Sequence, residues 1–123
     1  MQNLILVVED DVLTYRLMDN LLTSRGFQVL HAINGSECLE ALRDVHPNLI
    51  LMDMRLPVMD GWETVQHLKA DANLRHIPVV AVSVLVTSDD RERALDAGCV
   101  AYIAKPFDIK TFSQCVEQYL AYS

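Results

Sequence analysis

The sequence predicts an α/β domain built on a parallel sheet with helices on both faces. Two observations carry that expectation. Short apolar runs alternate five times with amphipathic stretches, giving (βα) five times over. Three of the runs are almost unbroken by polar residues, as strands covered on both faces are. The chain of 123 residues suits one compact domain.

The elements follow in order. Leu4–Val8 is the first run, and Leu17, Met18, Leu21 and Leu22 then form i, i+4 pairs on one side of a first helix. Val29–Ile33 is the second run; it contains His31 and so suits a sheet edge. Cys38, Leu39, Ala41, Leu42 and Val45 mark the second helix. Leu49–Met52 is the third run, and Val65 and Leu68 mark a helix after Asp60-Gly61. Val79–Val82 is the fourth. The stretch SDDRERALDAG then opens with capping residues and closes on Gly98, as a helix does. Val100–Ala104 is the fifth run, and Ile109, Phe112, Val116 and Leu120 give the last helix its apolar stripe.

Composition narrows the function classes. Hydrophobic residues make up 51% and charged residues 22%, which is neither a disordered nor a membrane composition. The apolar runs are too short to span a bilayer, and the first residues lack the basic start of a secretion signal. Net charge is −7, which argues against direct binding to a nucleic-acid backbone. Cys38, Cys99 and Cys115 have no metal spacing and form no even framework; free thiols in a reducing cytoplasm are expected. The four histidines are scattered without ligand spacing, and the four glycines form no phosphate loop.

The chemistry lies at the carboxyl ends of the strands. Glu9, Asp10 and Asp11 follow the first strand, Asp53 the third, Ser83 the fourth and Lys105-Pro106 the fifth. Open α/β sheets bind ligands at that edge, near the point where strand order reverses. With the first and third strands adjacent, Glu9, Asp10 and Asp53 converge. Clustered carboxylates repel unless a cation neutralises them, and an all-oxygen set favours a hard ion such as Mg²⁺. An aspartate beside that ion can attack phosphorus and form an aspartyl phosphate. Lys105 would offset charge on the transferred group, and the Ser83 hydroxyl would bond one of its oxygens. Asp11 is expected at the helix start, where an acid suits the dipole.

The segments ILVVEDD, DMRLPVMDG, IPVVAVS and AYIAKPF, in this order and spacing, resemble the receiver domain of two-component response regulators over essentially the whole chain. The resemblance implies a flavodoxin-like sheet of order 2-1-3-4-5. It implies Asp53 as phosphoacceptor and Mg²⁺, or another divalent cation, on Glu9, Asp10, Asp53 and the Arg55 backbone carbonyl. It also implies Ser83 and Tyr102 as switch residues, Lys105 as the conserved lysine of such sites, and a cis Lys105-Pro106 bond. Ser83 is taken as the switch hydroxyl in preference to Thr87, because it ends the strand and has the family's spacing to Lys105.

The implied partners are a sensor histidine kinase or histidine phosphotransfer protein and a downstream protein target. The target is met through the face of the fourth helix, fifth strand and fifth helix. The chain would act in the cytoplasm as a monomer or a phosphorylation-dependent dimer, without membrane insertion. Residues 1–123 are expected to be receiver alone, with no output domain.

One departure is local: Val84 stands where receivers usually carry Ala or Gly, and its branched side chain is expected to alter phosphorylation kinetics. An alternative is a receiver-like module that signals by protein contact alone; such modules usually lack an acid or the lysine, and this chain keeps them. A third reading, an aspartate-nucleophile phosphatase, wants a second acid two residues after the nucleophile, where this chain has Arg55. The chain is therefore expected to assist its own modification and to turn over no separate substrate.

Overall fold

A computed structural model of the protein describes residues 3–120. Among them five strands alternate with five helices: β1 Leu4–Val8, α1 Val12–Thr23, β2 Gln28–Ala32, α2 Gly35–Ala41, β3 Leu49–Met52, α3 Gly61–Ala70, β4 Val79–Val84, α4 Asp90–Ala97, β5 Ala101–Lys105 and α5 Ile109–Leu120. The strands pair in parallel in the order β2-β1-β3-β4-β5, so the reversal falls between β1 and β3.

The sheet is covered on both faces because its side chains alternate. Leu6, Val8, Ile50, Met52, Val79 and Ala81 meet α2, α3 and α4 through Cys38, Leu42, Val65, Leu68 and Ala94. On the other face, Ile5, Val7, Leu49, Leu51, Val80 and Val82 meet Met18, Leu22, Phe112 and Val116 from α1 and α5. All four side chains of β3 are fully buried. At about 1.5–3 kcal/mol per buried side chain of this size, that strand is anchored well enough to hold a buried carboxylate at its end.

Several boundaries differ from the sequence expectation. β1 and β3 begin and end where expected. β2 lies one residue earlier, because Leu4 pairs with Gln28 and the ladder closes at Val8 and Ala32. Ile33 then leaves the sheet; its N–H donates to Glu37 Oε1 at 3.0 Å and it is 46% exposed. β4 runs two residues further, since Ser83 pairs with Ala104 and Val84 with Lys105. Ser83, one residue before the end of β4, and Lys105, the last residue of β5, therefore belong to the strands and not to the loops that follow.

The helices show similar adjustments. Met18 and Leu22 are buried, but Leu17 is exposed, so only one of the two expected pairs faces the core. Val45 lies beyond α2, in the turn that follows it. In α5, Ile109 is exposed while Phe112, Val116 and Leu120 form the buried stripe. Asp11 caps α1 by accepting from Thr14 N at 3.0 Å. α4 is capped differently from expectation. Asp89 makes no side-chain cap, and the carboxylate of Asp90 takes the loop N–H groups instead. The Lys105-Pro106 peptide is cis.

Cys38, Cys99 and Cys115 are free. Burial pushes the thiols of Cys38 and Cys99 up to about 12, which leaves them protonated packing groups. No helix among the described residues is long and apolar enough to cross a membrane.

Candidate functional site

The reversal between β1 and β3 brings the acids together. Glu9 leaves β1 with its N–H on Ala32 O at 3.0 Å, and Asp53 leaves β3 with its N–H on Val8 O at 2.9 Å. Both acids are thus fixed by the sheet's own ladder. Carboxylate oxygens of Glu9, Asp10 and Asp53 all lie within 4.8 Å of one another. Glu9 and Asp53 are buried and Asp10 is exposed, so the cluster opens to solvent on one side.

Ser83 and Lys105 reach the same point from the neighbouring strands. Ser83 Oγ, fully buried, donates to Asp53 Oδ1 at 2.7 Å. Arg55 N donates to that same oxygen at 3.0 Å. Lys105 Nζ donates to Asp53 Oδ2 at 3.1 Å and forms an ion pair with Glu9. Asp53 therefore has a hydroxyl and an amide on one oxygen and an ammonium on the other.

The electrostatics show a strained balance. Burial is the main reason the Glu9 carboxyl rises to about 7; the charge of Asp53 adds to it, and hydrogen bonds from Lys105 and the Asp11 N–H hold it down. Burial favours the neutral form of Lys105, but its bonds and charge contacts with Glu9 and Asp53 outweigh that and raise it above the ordinary lysine value. One ammonium thus serves two buried carboxylates, with Asp10 adjacent. This donor set fits a hard divalent cation: it is all oxygen, short of positive charge, and open at Asp10.

The structure brings Glu9, Asp10, Asp53, Ser83 and Lys105 together as the sequence suggested. Arg55 follows on the β3–α3 loop. Tyr102 lies on β5, 9% exposed, with its hydroxyl donating to Val84 O at 3.1 Å. The ring of this expected switch residue lies inside, with the Val84 carbonyl as the partner of its hydroxyl. Thr87 is occupied elsewhere, its hydroxyl donating to Asp90 Oδ1 at 3.0 Å. Val84 itself is half-exposed beside Ser83.

Two further contacts were not legible. His31 Nε2 donates to Glu9 O at 2.6 Å, and its ring stacks on Tyr15 with centroids 3.6 Å apart. Its place on an edge strand was a hint, but nothing in the sequence links it to Glu9. The Arg55 guanidinium donates to Asp90 Oδ2 at 2.7 Å. That bond, with those from the Thr87 and Val86 N–H groups, outweighs the effect of burial and holds the Asp90 carboxyl well below the usual carboxylate range.

The loop after Asp53 is turned by an exposed valine. Val58 has φ 66°, and Met59 N donates to Pro57 O at 2.7 Å, closing a three-residue turn. A β-branched residue is sterically disfavoured there, by roughly 1–2 kcal/mol. Val58 is 86% exposed, so its side chain contributes little packing. Val58→Gly is expected to raise stability by about 1 kcal/mol, net of the glycine's extra unfolded-state freedom, as a higher denaturation midpoint at unchanged slope. An unchanged or lower midpoint would contradict it.

Comparison with known proteins agrees with this geometry. The family model described as the response regulator receiver domain matches residues 5–117. The chain belongs to the response regulator receiver domain family. This receiver is 40% identical over 116 residues to the polar-differentiation response regulator DivK of Brucella ovis, covering 94% of each chain. Among solved structures it is similar to the signal receiver domain of a signal transduction histidine kinase from Syntrophus aciditrophicus. That match has TM-score 0.91 and 32% identity, and covers 97% of this chain and 90% of the other. It is also similar to the receiver domain of a sensor histidine kinase from Pseudomonas aeruginosa, described with a magnesium ion coordinated in its active-site cleft. That match has TM-score 0.89 and 30% identity, and covers 98% and 99% of the two chains. Like its family, this receiver is a signalling protein of two-component systems.

Proposed function

We propose that this receiver accepts a phosphoryl group from a phosphohistidine onto Asp53 and answers by changing its protein contacts. The observation that carries this reading is the meeting of Asp53 with Lys105, Ser83 and two further carboxylates at the reversal of the sheet. Glu9, Asp10 and Asp53, with the Arg55 backbone carbonyl, would hold Mg²⁺. A bound divalent ion would neutralise the carboxylates and the phosphoryl oxygens during transfer.

The chain's own residues do the rest. An Asp53 carboxylate oxygen forms the new bond to phosphorus, the phosphorus–nitrogen bond to the donor imidazole breaks, and the imidazole leaves with that electron pair. Lys105 compensates charge on the transferred group. Ser83 passes its hydrogen bond from the carboxylate to a phosphoryl oxygen. Its partner strand carries Tyr102, so the new charge favours one packing of α4, β5 and α5 over another. Val84, half-exposed next to Ser83, narrows access to Asp53 and so alters the phosphorylation or dephosphorylation kinetics. The donor is a sensor histidine kinase or histidine phosphotransfer protein, and the target is a protein docking on the α4–β5–α5 face. No separate substrate is turned over. Three unpaired cysteines suit action in the cytoplasm.

The protein carries its own reporter. Trp62, the one tryptophan of the chain, is buried, with the Arg55 guanidinium 5.1 Å and the Arg93 guanidinium 4.0 Å from its ring centroid. Titration with Mg²⁺ is expected to change Trp62 emission saturably and to move the amide resonances around Asp10 and Asp53. A protein that gives neither response is a contact module with no metal site. A phosphotransfer profile against the host's sensor kinases then identifies the donor.

A further inference from the structure

We propose that Arg55 and Asp90 form a second link between the phosphorylation site and α4, separate from the Ser83–Tyr102 pair. The proposal rests on Asp53 being the phosphoacceptor. Arg55 is bonded at both ends. Its peptide N–H donates to Asp53 Oδ1 at 3.0 Å, and its guanidinium donates to Asp90 Oδ2 at 2.7 Å.

Asp90 in turn organises the connection between β4 and α4. Its Oδ2 also accepts the N–H of Val86 at 2.8 Å and of Thr87 at 3.1 Å, and its Oδ1 accepts the Thr87 hydroxyl at 3.0 Å. Asp90 is the first residue of α4 and is 3% exposed. A buried carboxylate with four donors has one place to be, and removing one donor shifts the loop the others hold. A solvent-exposed ion pair would carry little, but this one ends on a buried acid. Trp62 adds a parallel contact, since the guanidiniums of Arg55 and of the α4 residue Arg93 both lie over its ring.

A phosphoryl group on Asp53 brings new negative charge next to the Arg55 peptide. It competes with Asp90 for the guanidinium and with the carboxylate for the Arg55 N–H. Either change is felt at Val86, Thr87 and the first turn of α4. Coupling of this kind is reciprocal, so what binds α4 would also change affinity at the site.

The test is amide spectroscopy of native protein and Arg55→Met, each with Mg²⁺ and beryllofluoride as the phosphoryl mimic. The Arg55 side chain is 39% exposed, so the variant should fold. In the native protein, amides at Asp53–Arg55 and at Val86, Thr87 and Arg91 are expected to move. In Arg55→Met, which keeps the backbone groups of residue 55, the displacement of the second group is expected to fall by more than half relative to that of the first group in the same sample. Arg55→Lys, which keeps the charge, is expected to restore part of the α4 response. Equal α4 displacement in Arg55→Met overturns the link, as does a lysine variant no better than methionine. So does a native α4 that stays silent while Asp53 responds. A native protein silent at Asp53 itself would overturn the phosphoacceptor reading first, and the link with it.

Discussion

Lys105→Met is expected to tighten Mg²⁺ binding and, at the same time, to slow phosphoryl transfer to Asp53 by about 10²–10³-fold, the usual effect of removing one charge-stabilising donor. The two directions have one cause. Lys105 Nζ is bonded to both Glu9 and Asp53, so the ammonium occupies the same negative cluster that an incoming cation must satisfy. Removing it leaves those carboxylates short of charge and raises their demand for a metal. It also removes the group that would follow the negative charge onto the phosphoryl oxygens. Folding survives, because Glu9 already stands near 7 and can take a proton where its partner is lost. Trp62 emission reads the metal affinity, and the rate of labelling by a small phosphoryl donor reads the transfer. Weaker metal binding, or an unchanged transfer rate, would contradict the role given to Lys105.

Gly61→Ala is expected to cost about 1–3 kcal/mol, the range for a misfit in a close-packed interior. It is also expected to slow transfer by about 10²-fold through misplacement of Asp53. A methyl group at Gly61 would lie 2.5 Å from Met54 Cα and 2.6 Å from Asp53 O. Those are backbone atoms and cannot rotate aside. Gly61 N also donates to Met54 O at 2.9 Å, so the start of α3 and the residues after Asp53 must move together. Thermal unfolding and transfer rate, measured on the same variant, check both effects. A variant with native stability would show that the loop yields freely; a destabilised one with native transfer would show that Asp53 does not depend on it.

The sheet was legible where strands are covered on both faces. The runs Leu4–Val8 and Leu49–Met52 coincide with β1 and β3, because a central parallel strand has little reason to carry a polar residue. The edge strands β2 and β5 were each placed one residue off, since an edge strand tolerates polar side chains and loses its sharp limits. β4 was cut short at Ser83 because a hydroxyl breaks an apolar run. The ladder to β5 continues through it, and the hydroxyl is satisfied by Asp53.

The site was legible as chemistry more than as contacts. Glu9, Asp10, Asp53, Ser83 and Lys105 could be singled out because each carries a reactive or charged group at a strand end. Which atoms meet was not legible. Arg55 was singled out for its backbone carbonyl and Asp90 fell among the capping residues of the fourth helix; they lie 35 residues apart, and only the folded loops bring the guanidinium onto a buried acid. His31 read as an edge histidine. Its bond to the Glu9 carbonyl depends on β1–β2 register, which periodicity does not specify to the residue.

The central claim is that Asp53 takes the phosphoryl group. Intact-mass measurement of the native protein and of Asp53→Asn, each incubated with Mg²⁺ and a small phosphoryl donor, tests it most directly when the modified peptide is then mapped. The native protein should gain one phosphoryl group, located on Asp53, and the variant should gain none. A native protein of unchanged mass, a phosphoryl group mapped to another residue, or equal labelling of the variant would contradict the account.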